Sequence, residues 1–367
     1  MIDNVTIRLK DFSGNFENCR IKPKRKVLIK SLEPEKDDEK SDVYQLKGGT
    51  KNNPYYLKVW QSRKTGKVFI QGSLRKWVMG NHCLHDLTLS MFIGAIESLA
   101  EKLNICFDEL TNGRITRCEI GQSVSTKHPI PEIMNALAMH GQLKMAKNLR
   151  YETTIYFKNE GSEDIKQMKV YDKTAEVASK GKSGHKKMVK GLNRNGISML
   201  RIEVTLYNKK SFEGEKILRE AFDIRPKIDI TVGDLILNYS TLYEYWASEV
   251  NKFVVFSAID ENKKVPKRKR SIVEELKELG AEKSLEDLVE EKKNLCPKEY
   301  KTPASFRNAR SKIRKKYVDA VAEFHSTETY RKNLLKMDAT RHLKRKSNRE
   351  ENFPYLDILN ALWKPRK

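Results

Sequence analysis

Residues 165–177 read IKQMKVYDKTAEV. Side chains alternate across a β-strand, so Met168 and Val170 share one face of this segment while Lys169, Tyr171 and Lys173 share the other. As ordinary sheet surface, the tyrosine packs and the lysines are solvated. As part of a site, a phenol stands between two cations. The choice depends on what neighbouring strands set beside it.

Two other segments carry the same parity. In RITRCEIGQSV, residues 114–124, Arg117 and Glu119 fall on one face and Cys118 and Ile120 on the other. In MLRIEVTL, residues 199–206, Arg201, Glu203 and Thr205 alternate with Leu200, Ile202, Val204 and Leu206. One antiparallel sheet with a single apolar face would therefore gather two carboxylates, several cations and Tyr171 on a common polar surface. Phosphodiester transesterification wants this set. Carboxylates such as Glu119 and Glu203 are hard oxygen ligands for Mg²⁺ or Mn²⁺, and a bound metal polarises a scissile phosphate. A phenol, with a pKa of about 10, attacks usefully only when a cation or metal stabilises the phenolate. Lys173 is placed for that role, and Arg117 or Arg201 for neutralising phosphate oxygens. Cross-strand ion pairing on a solvated face produces the same pattern without chemistry, so both readings stand at this point.

Outward from these strands, NVTIRL, YYLKVW and KVFIQGSL read as strands, and a helix is expected over residues 84–103 with a stripe of Leu87, Met91, Ala95, Leu99 and Leu103. PEIMNALAMHGQLKMAK is expected to form a helix opened by Pro131, and further helices begin near Ser211 and Thr231. Residues 178–195 hold six Lys or Arg and no acid, and read as a mobile basic connection whose Lys186 and Lys187 would meet phosphates. The run KKVPKRKR at 263–270 marks a boundary, beyond which the sequence is helical and highly charged. The expected fold is α+β, with an antiparallel-rich central sheet and helices on one face over residues 1–262, followed by a smaller basic helical domain over 263–367. In that domain Lys267, Arg268, Lys269 and Arg270 precede a helix with an apolar stripe of Phe306, Ala309, Ile313, Tyr317 and Val321. Arg307, Arg310, Arg314 and Lys315 cover much of its remaining surface, suited to a phosphate backbone or to solvent.

Seventy-two basic against 49 acidic residues give a net charge of +23, which points to a polyanionic partner. Five cysteines without a CxxC pair argue against a disulfide framework or zinc ribbon. The absence of a long apolar run and of a signal-like N-terminus leads to the expectation of a cytoplasmic protein with no membrane association. His82 and His85 are separated by two residues, whereas a strand presents both rings on one face only in a His-x-His pair; turn or capping roles suit them and Cys83 better. No phosphate loop is present, so any unwinding would fall to a separate helicase.

The order of MIDNVTIRL, GNHCLHD, ITRCEIGQSV, MKVYDKTAEV, LRIEVTLYNKKSFEG and TPASFRNARSKIRKKY resembles the filamentous-phage replication initiators, the gene II-type nicking and joining proteins, and more distantly the initiators of small staphylococcal rolling-circle plasmids. The resemblance implies Arg117 and Glu119 in the first inner motif, Tyr171 and Lys173 in the second, and Arg201 and Glu203 in the third. Glu119 stands where the phage proteins tend to have Asp. Asp3 matches the phage opening, but it shares parity with Val5, Ile7 and Leu9 and receives no firm role. The implied activity is a metal-dependent, sequence-specific nick in one strand of an origin, leaving a 5′-phosphate on Tyr171 and a free 3′-OH, then strand transfer to close the product. Implied partners are double- and single-stranded origin DNA and a host helicase and polymerase in a bacterial cytoplasm, with a homodimer left open. Tyr207 and Tyr156 are the next candidate nucleophiles, and a non-catalytic origin-binding protein on the same scaffold is the rival reading.

Overall fold

The computed structural model describes residues 1–21, 42–140, 143–145, 153–158, 166–181, 183–224, 229–255 and 264–278, with a few more between 291 and 320. Its strands are β1 (Ile2–Leu9), β2 (Arg20–Ile21), β3 (Asp42–Thr50), β4 (Asn53–Gln61), β5 (Val68–Ser73), β6 (Arg114–Thr126), β7 (Leu137–His140), β8 (Leu143–Met145), β9 (Thr154–Lys158), β10 (Lys166–Asp172), β11 (Ser198–Leu206) and β12 (Phe253–Val255). They form one sheet of twelve strands in the order β12-β7-β8-β9-β10-β11-β6-β1-β5-β4-β3-β2. The long strands β10, β11, β6 and β1 lie side by side and antiparallel at its middle. This is the α+β, antiparallel-rich arrangement that the alternating segments led us to expect.

The helices are α1 (Leu74–Met79), α2 (Leu89–Leu103), α3 (Phe107–Thr111), α4 (Ile130–Ala136), α5 (Lys173–Lys180), α6 (Ser183–Arg194), α7 (Lys209–Glu213), α8 (Lys216–Ala221), α9 (Val232–Leu237), α10 (Tyr239–Asn251) and α11 (Arg270–Glu278). The apolar face of the central strands, including Val5, Cys118, Ile120, Val170, Ile202 and Val204, joins Phe92, Ile96 and Leu99 of α2, Leu235 of α9 and Trp246 of α10 in one buried core. Trp246 also donates its indole N–H to the Ile202 carbonyl at 3.1 Å, which fastens α10 to β11. Each such side chain contributes about 1.5–3 kcal/mol by leaving water. With one face committed in this way, a one-residue slip of any central strand would turn its polar residues into the core, so the register of the opposite face is set too.

Three local expectations need correction. The described residues of 178–195, all but 182, are not a mobile connection: they complete α5 and form α6, whose Val189 and Leu192 pack with Val177, Leu84 and Met199 in a second small cluster. Lysine is a good helix former, and a few apolar positions at helical spacing suffice to seat an otherwise basic helix. The segment begun by Pro131 leaves the helix at Ala136 and pairs as β7 and β8, where sheet partners override its helical propensity. Helix α2 starts at Leu89, after the Thr88 N-cap, and Met91 faces water at 43% exposure while Phe92 and Ile96 take the buried stripe.

Lys267–Lys269 form a 3-10 turn ahead of α11, with Lys267, Arg268 and Arg270 exposed and Lys269 partly covered. Lys315 is exposed, whereas Arg307, Arg310 and Arg314 lie outside the described residues. Among the described residues no helix is long and apolar enough to cross a membrane. Ile96→Ala, which empties the middle of the α2 stripe, is expected to cost roughly 2–5 kcal/mol in urea unfolding; a loss under about 1 kcal/mol would mean that α2 is not a principal wall of the core.

Candidate active site

Register brings the three motifs together. Tyr171 lies directly across from Arg201, Lys169 across from Glu203, and Glu203 in turn across from Gly121 of β6. The Tyr171 hydroxyl donates to Glu203 Oε1 at 3.1 Å, and the other carboxylate oxygen accepts from Lys169 Nζ at 2.9 Å. The same Oε1 accepts from Arg201 Nε at 2.6 Å. Tyr171 is only 7% exposed. Burial, and then the Glu203 charge, raise its pKa well above the usual phenol value, so it rests protonated.

Arg201 is fully buried and spends its guanidinium on neighbours. Nη2 donates to Asp3 Oδ2 at 2.7 Å, and Nη1 to Asp86 Oδ1 at 2.6 Å and to Ser123 Oγ at 3.0 Å. Asp86 also accepts from the Ser123 backbone N–H at 3.1 Å, and Arg75 Nε reaches Asp3 Oδ2 at 3.0 Å. Burial alone would raise the Asp3 pKa, but the guanidiniums of Arg75 and Arg201 outweigh it and hold the carboxyl well below the usual range. The side chains of Arg201 and Glu203 cross over Gly121, where a Cβ would stand 2.8 Å from both Arg201 Nη2 and Glu203 Cγ. The position needs glycine because its neighbours occupy the space a side chain would take.

Asp3 reaches this face through a register shift. Ile2 pairs with Ile120 and Val5 with Cys118, so the shift between them turns both apolar side chains inward and leaves Asp3 pointing to the site. Simple alternation put Asp3 with Val5, Ile7 and Leu9, and that parity fails at the bulge. Asp3, Glu119 and Glu203 each offer a carboxylate oxygen within 4.8 Å of the others. Glu119 is half-buried and accepts from Thr205 Oγ1 at 3.3 Å. Burial, then the charges of Glu203 and Asp3, push its carboxyl up to about 7.

Lys173 sits at the first position of α5 with its ammonium buried, 5.8 Å from the centre of the Tyr171 ring, and pairs with Glu176. Lys169 lies nearer, 4.4 Å from that centre. Arg117 stacks its guanidinium 5.1 Å from the Tyr207 ring, and the Tyr207 hydroxyl donates to Gln167 at 3.1 Å. Arg117 thus rests on Tyr207, while Arg201 has its donors committed to protein acceptors. Lys186 and Lys187 project from the exposed side of α6. Asp86, Arg75, Ser123 and Glu176 were not singled out from sequence. Two carried a local sign: Asp86 as the acid closing the GNHCLHD turn, and Glu176 by its i,i+3 spacing from Lys173.

The chain matches, over residues 1–220, the Phage_CRI family model, which describes the N-terminal part of a replication-associated protein. Among solved structures it is similar to a rolling circle replication initiator protein from Geobacillus stearothermophilus, at 12% identity over 77% of this chain and 98% of that one, with a TM-score of 0.32. No curated protein sequence matches it.

Gly121→Ala is expected to displace Arg201 or Glu203 and to lower stability by about 1–3 kcal/mol, the range for overpacking a filled interior. Denaturant unfolding checks this, and an unchanged midpoint would show that the crossing side chains have room to yield.

Proposed function

The chain belongs to the family of phage replication-associated proteins whose N-terminal model it matches, and on that premise we propose that it initiates rolling-circle replication by nicking one strand of an origin with Tyr171 as nucleophile. The observation that carries this reading is the hydrogen bond from the Tyr171 hydroxyl to Glu203, at the edge of a three-carboxylate cluster and beneath two lysine ammoniums. In the step, the phenolic oxygen bonds to phosphorus and the P–O3′ bond breaks. The 5′-phosphate stays on Tyr171, and the released O3′ takes up a proton to become the primer hydroxyl. In the reverse direction a 3′-OH attacks the phosphotyrosine, so strand closure conserves the bond energy and needs no nucleotide cofactor.

Each side chain has a part in that exchange. Glu203 Oε1 is the acceptor for the phenolic proton at rest. Lys169 and Lys173 sit where they would offset the charge that the oxygen and ring acquire. Arg201 fixes Glu203 and Asp3 in place. Asp3, Glu119 and Glu203 fit a divalent ion such as Mg²⁺ or Mn²⁺: all are hard oxygen donors, and Glu119 is a carboxylate crowded by like charges with too little cation beside it. A metal held there would supply Lewis-acid polarisation of the scissile phosphate.

Lys186 and Lys187 on α6, Lys267, Arg268, Lys269 and Arg270 around the 3-10 turn, and Arg307, Arg310, Arg314 and Lys315 further on are proposed to meet the DNA backbone. Residues 263–367 would then form a separate basic domain that contributes affinity. Such contacts position a duplex and make binding salt-sensitive. Without a phosphate loop, unwinding and synthesis would fall to a host helicase and polymerase in a bacterial cytoplasm.

The test is incubation with Mg²⁺ or Mn²⁺ and supercoiled DNA of the replicon that encodes the chain, followed by a denaturing gel. The wild type is expected to yield a protein–DNA adduct, and Tyr171→Phe to yield none. Glu119→Gln is expected to lose cleavage while keeping salt-sensitive DNA binding nearly intact. An adduct that persists in Tyr171→Phe would move the nucleophile elsewhere. A wild type that binds and never nicks would favour the non-catalytic origin-binding reading.

A further inference from the structure

The loop that reads GNHCLHD over residues 80–86 contributes a histidine that the chemistry above leaves unused. His82 adopts a left-handed backbone with φ 56°, which is uncommon for a residue other than glycine. Its Nδ1 lies 3.1 Å from Glu176 Oε1, on the first turn of α5. A carboxylate only accepts, so Nδ1 carries the hydrogen and donates it. The second oxygen of Glu176 holds the Lys173 ammonium, which has no exposure of its own, whereas His82 and Glu176 are each 19% exposed. The three residues thus run from the surface to a buried cation beside the Tyr171 ring.

We propose that Glu176 and His82 are positioning residues for the Tyr171 site, with Glu176 keeping the Lys173 ammonium charged and in place and His82 orienting Glu176. This rests on the nicking reading. The supporting physics is a balance of charges around one buried ammonium. Lys173 is faced by Arg75 of α1, Arg201 of β11, Tyr171 of β10 and Glu176 of its own helix. Burial, then repulsion by Arg75, lowers its pKa to about 8, with Arg201 adding to the repulsion and Glu176 opposing it. Glu176 itself is held down at about 2: against burial, Lys173 and the His82 hydrogen bond stabilise its charge, with Lys76 of α1 adding to them. Burial lowers the pKa of His82, which faces Glu176, Lys76 and Lys173, so the ring is a neutral donor near pH 7.

The sign of the effect follows. Glu176 raises the Lys173 pKa, so Glu176→Gln lowers it further and the ammonium is lost at a lower pH. The alkaline limb of the nicking rate against pH should therefore move to more acidic values, by about one unit. His82→Gly relieves the left-handed backbone but removes the donor, and should slow single-turnover nicking by about tenfold at about pH 8. His82→Asn tolerates the same backbone and offers an amide donor, and should restore most of that loss.

The experiment is single-turnover nicking by the full chain on the supercoiled DNA used above, with Mg²⁺, from about pH 6 to 9, for wild type, E176Q, H82G and H82N. Lys173 is titrated in parallel through its ¹³Cε chemical shift. The proposal is upheld by a lower Lys173 pKa in E176Q together with a shifted alkaline limb and rescue by H82N. It is overturned if the profiles superimpose on wild type. It is equally overturned if all three variants lose rate in step with thermal stability while the limb and the Lys173 titration stay put, because that is a loop staple and no more. If the wild type never nicks, the nicking reading falls, and the Lys173 titration alone then decides whether Glu176 sets its charge.

Discussion

The buried guanidinium of Arg201 is the constraint on which the site depends. It bridges Asp3 of β1, Glu203 of its own strand, and Asp86 and Ser123 of the loop and strand beyond. A guanidinium out of water costs several kcal/mol unless its donors are met. Here a rigid fork of donors answers partners from several parts of the chain, which a lysine's single ammonium would not reach. Such a cluster need not add net stability compared with apolar packing. Its value lies in geometry, because a shift of any partner costs a buried group one of its hydrogen bonds.

That rigidity serves a site whose charges disagree. Three carboxylates converge, and two of them are satisfied: Asp3 by Arg75 and Arg201, Glu203 by Lys169 and Arg201. Glu119 accepts from a threonine hydroxyl, and burial with the charges of Glu203 and Asp3 outweighs Lys169 and Arg117 and lifts its carboxyl to about 7. On the other side Lys173, paired with Glu176, is lowered to about 8 by burial and by the nearby Arg75 and Arg201. Groups displaced in opposite directions around one phenol are what acid–base chemistry near neutral pH requires.

The sheet and the three polar strands were legible because burial of one face leaves an alternating record in sequence: Met168 and Val170, Cys118 and Ile120, Ile202 and Val204 each flank polar neighbours. The motif order then carried the family, which the match over residues 1–220 bears out. Asp3 was not legible because a bulge breaks the alternation, and nothing in MIDNVTIRL marks the extra residue. Arg75 and Asp86 act through partners 72 and 115 residues away, and the His82 that meets Glu176 is 94 residues from it; no local pattern encodes pairings at such separations. Helix α6 was misread because charge density dominated the composition, while the few apolar side chains that seat it are sparse.

Gly121 shows how fold and chemistry are joined. On sequence it interrupts a good strand, CEIGQSV, where glycine costs about 0.5–1 kcal/mol of backbone entropy relative to alanine. That cost lets β6 pass directly beneath the crossing of Arg201 and Glu203. A larger residue would push one of them off, and either movement frees the Tyr171 hydroxyl from its acceptor or Asp3 from its clamp. Because β1, β6, β11 and the loop before α2 must all be in register before Arg201 finds its partners, the Tyr171–Glu203 contact is held only in the completed fold. A partly folded chain would expose Tyr171 without Glu203 and Lys169 beside it, so the arrangement of this polar cluster is tied through long-range pairing to the finished sheet.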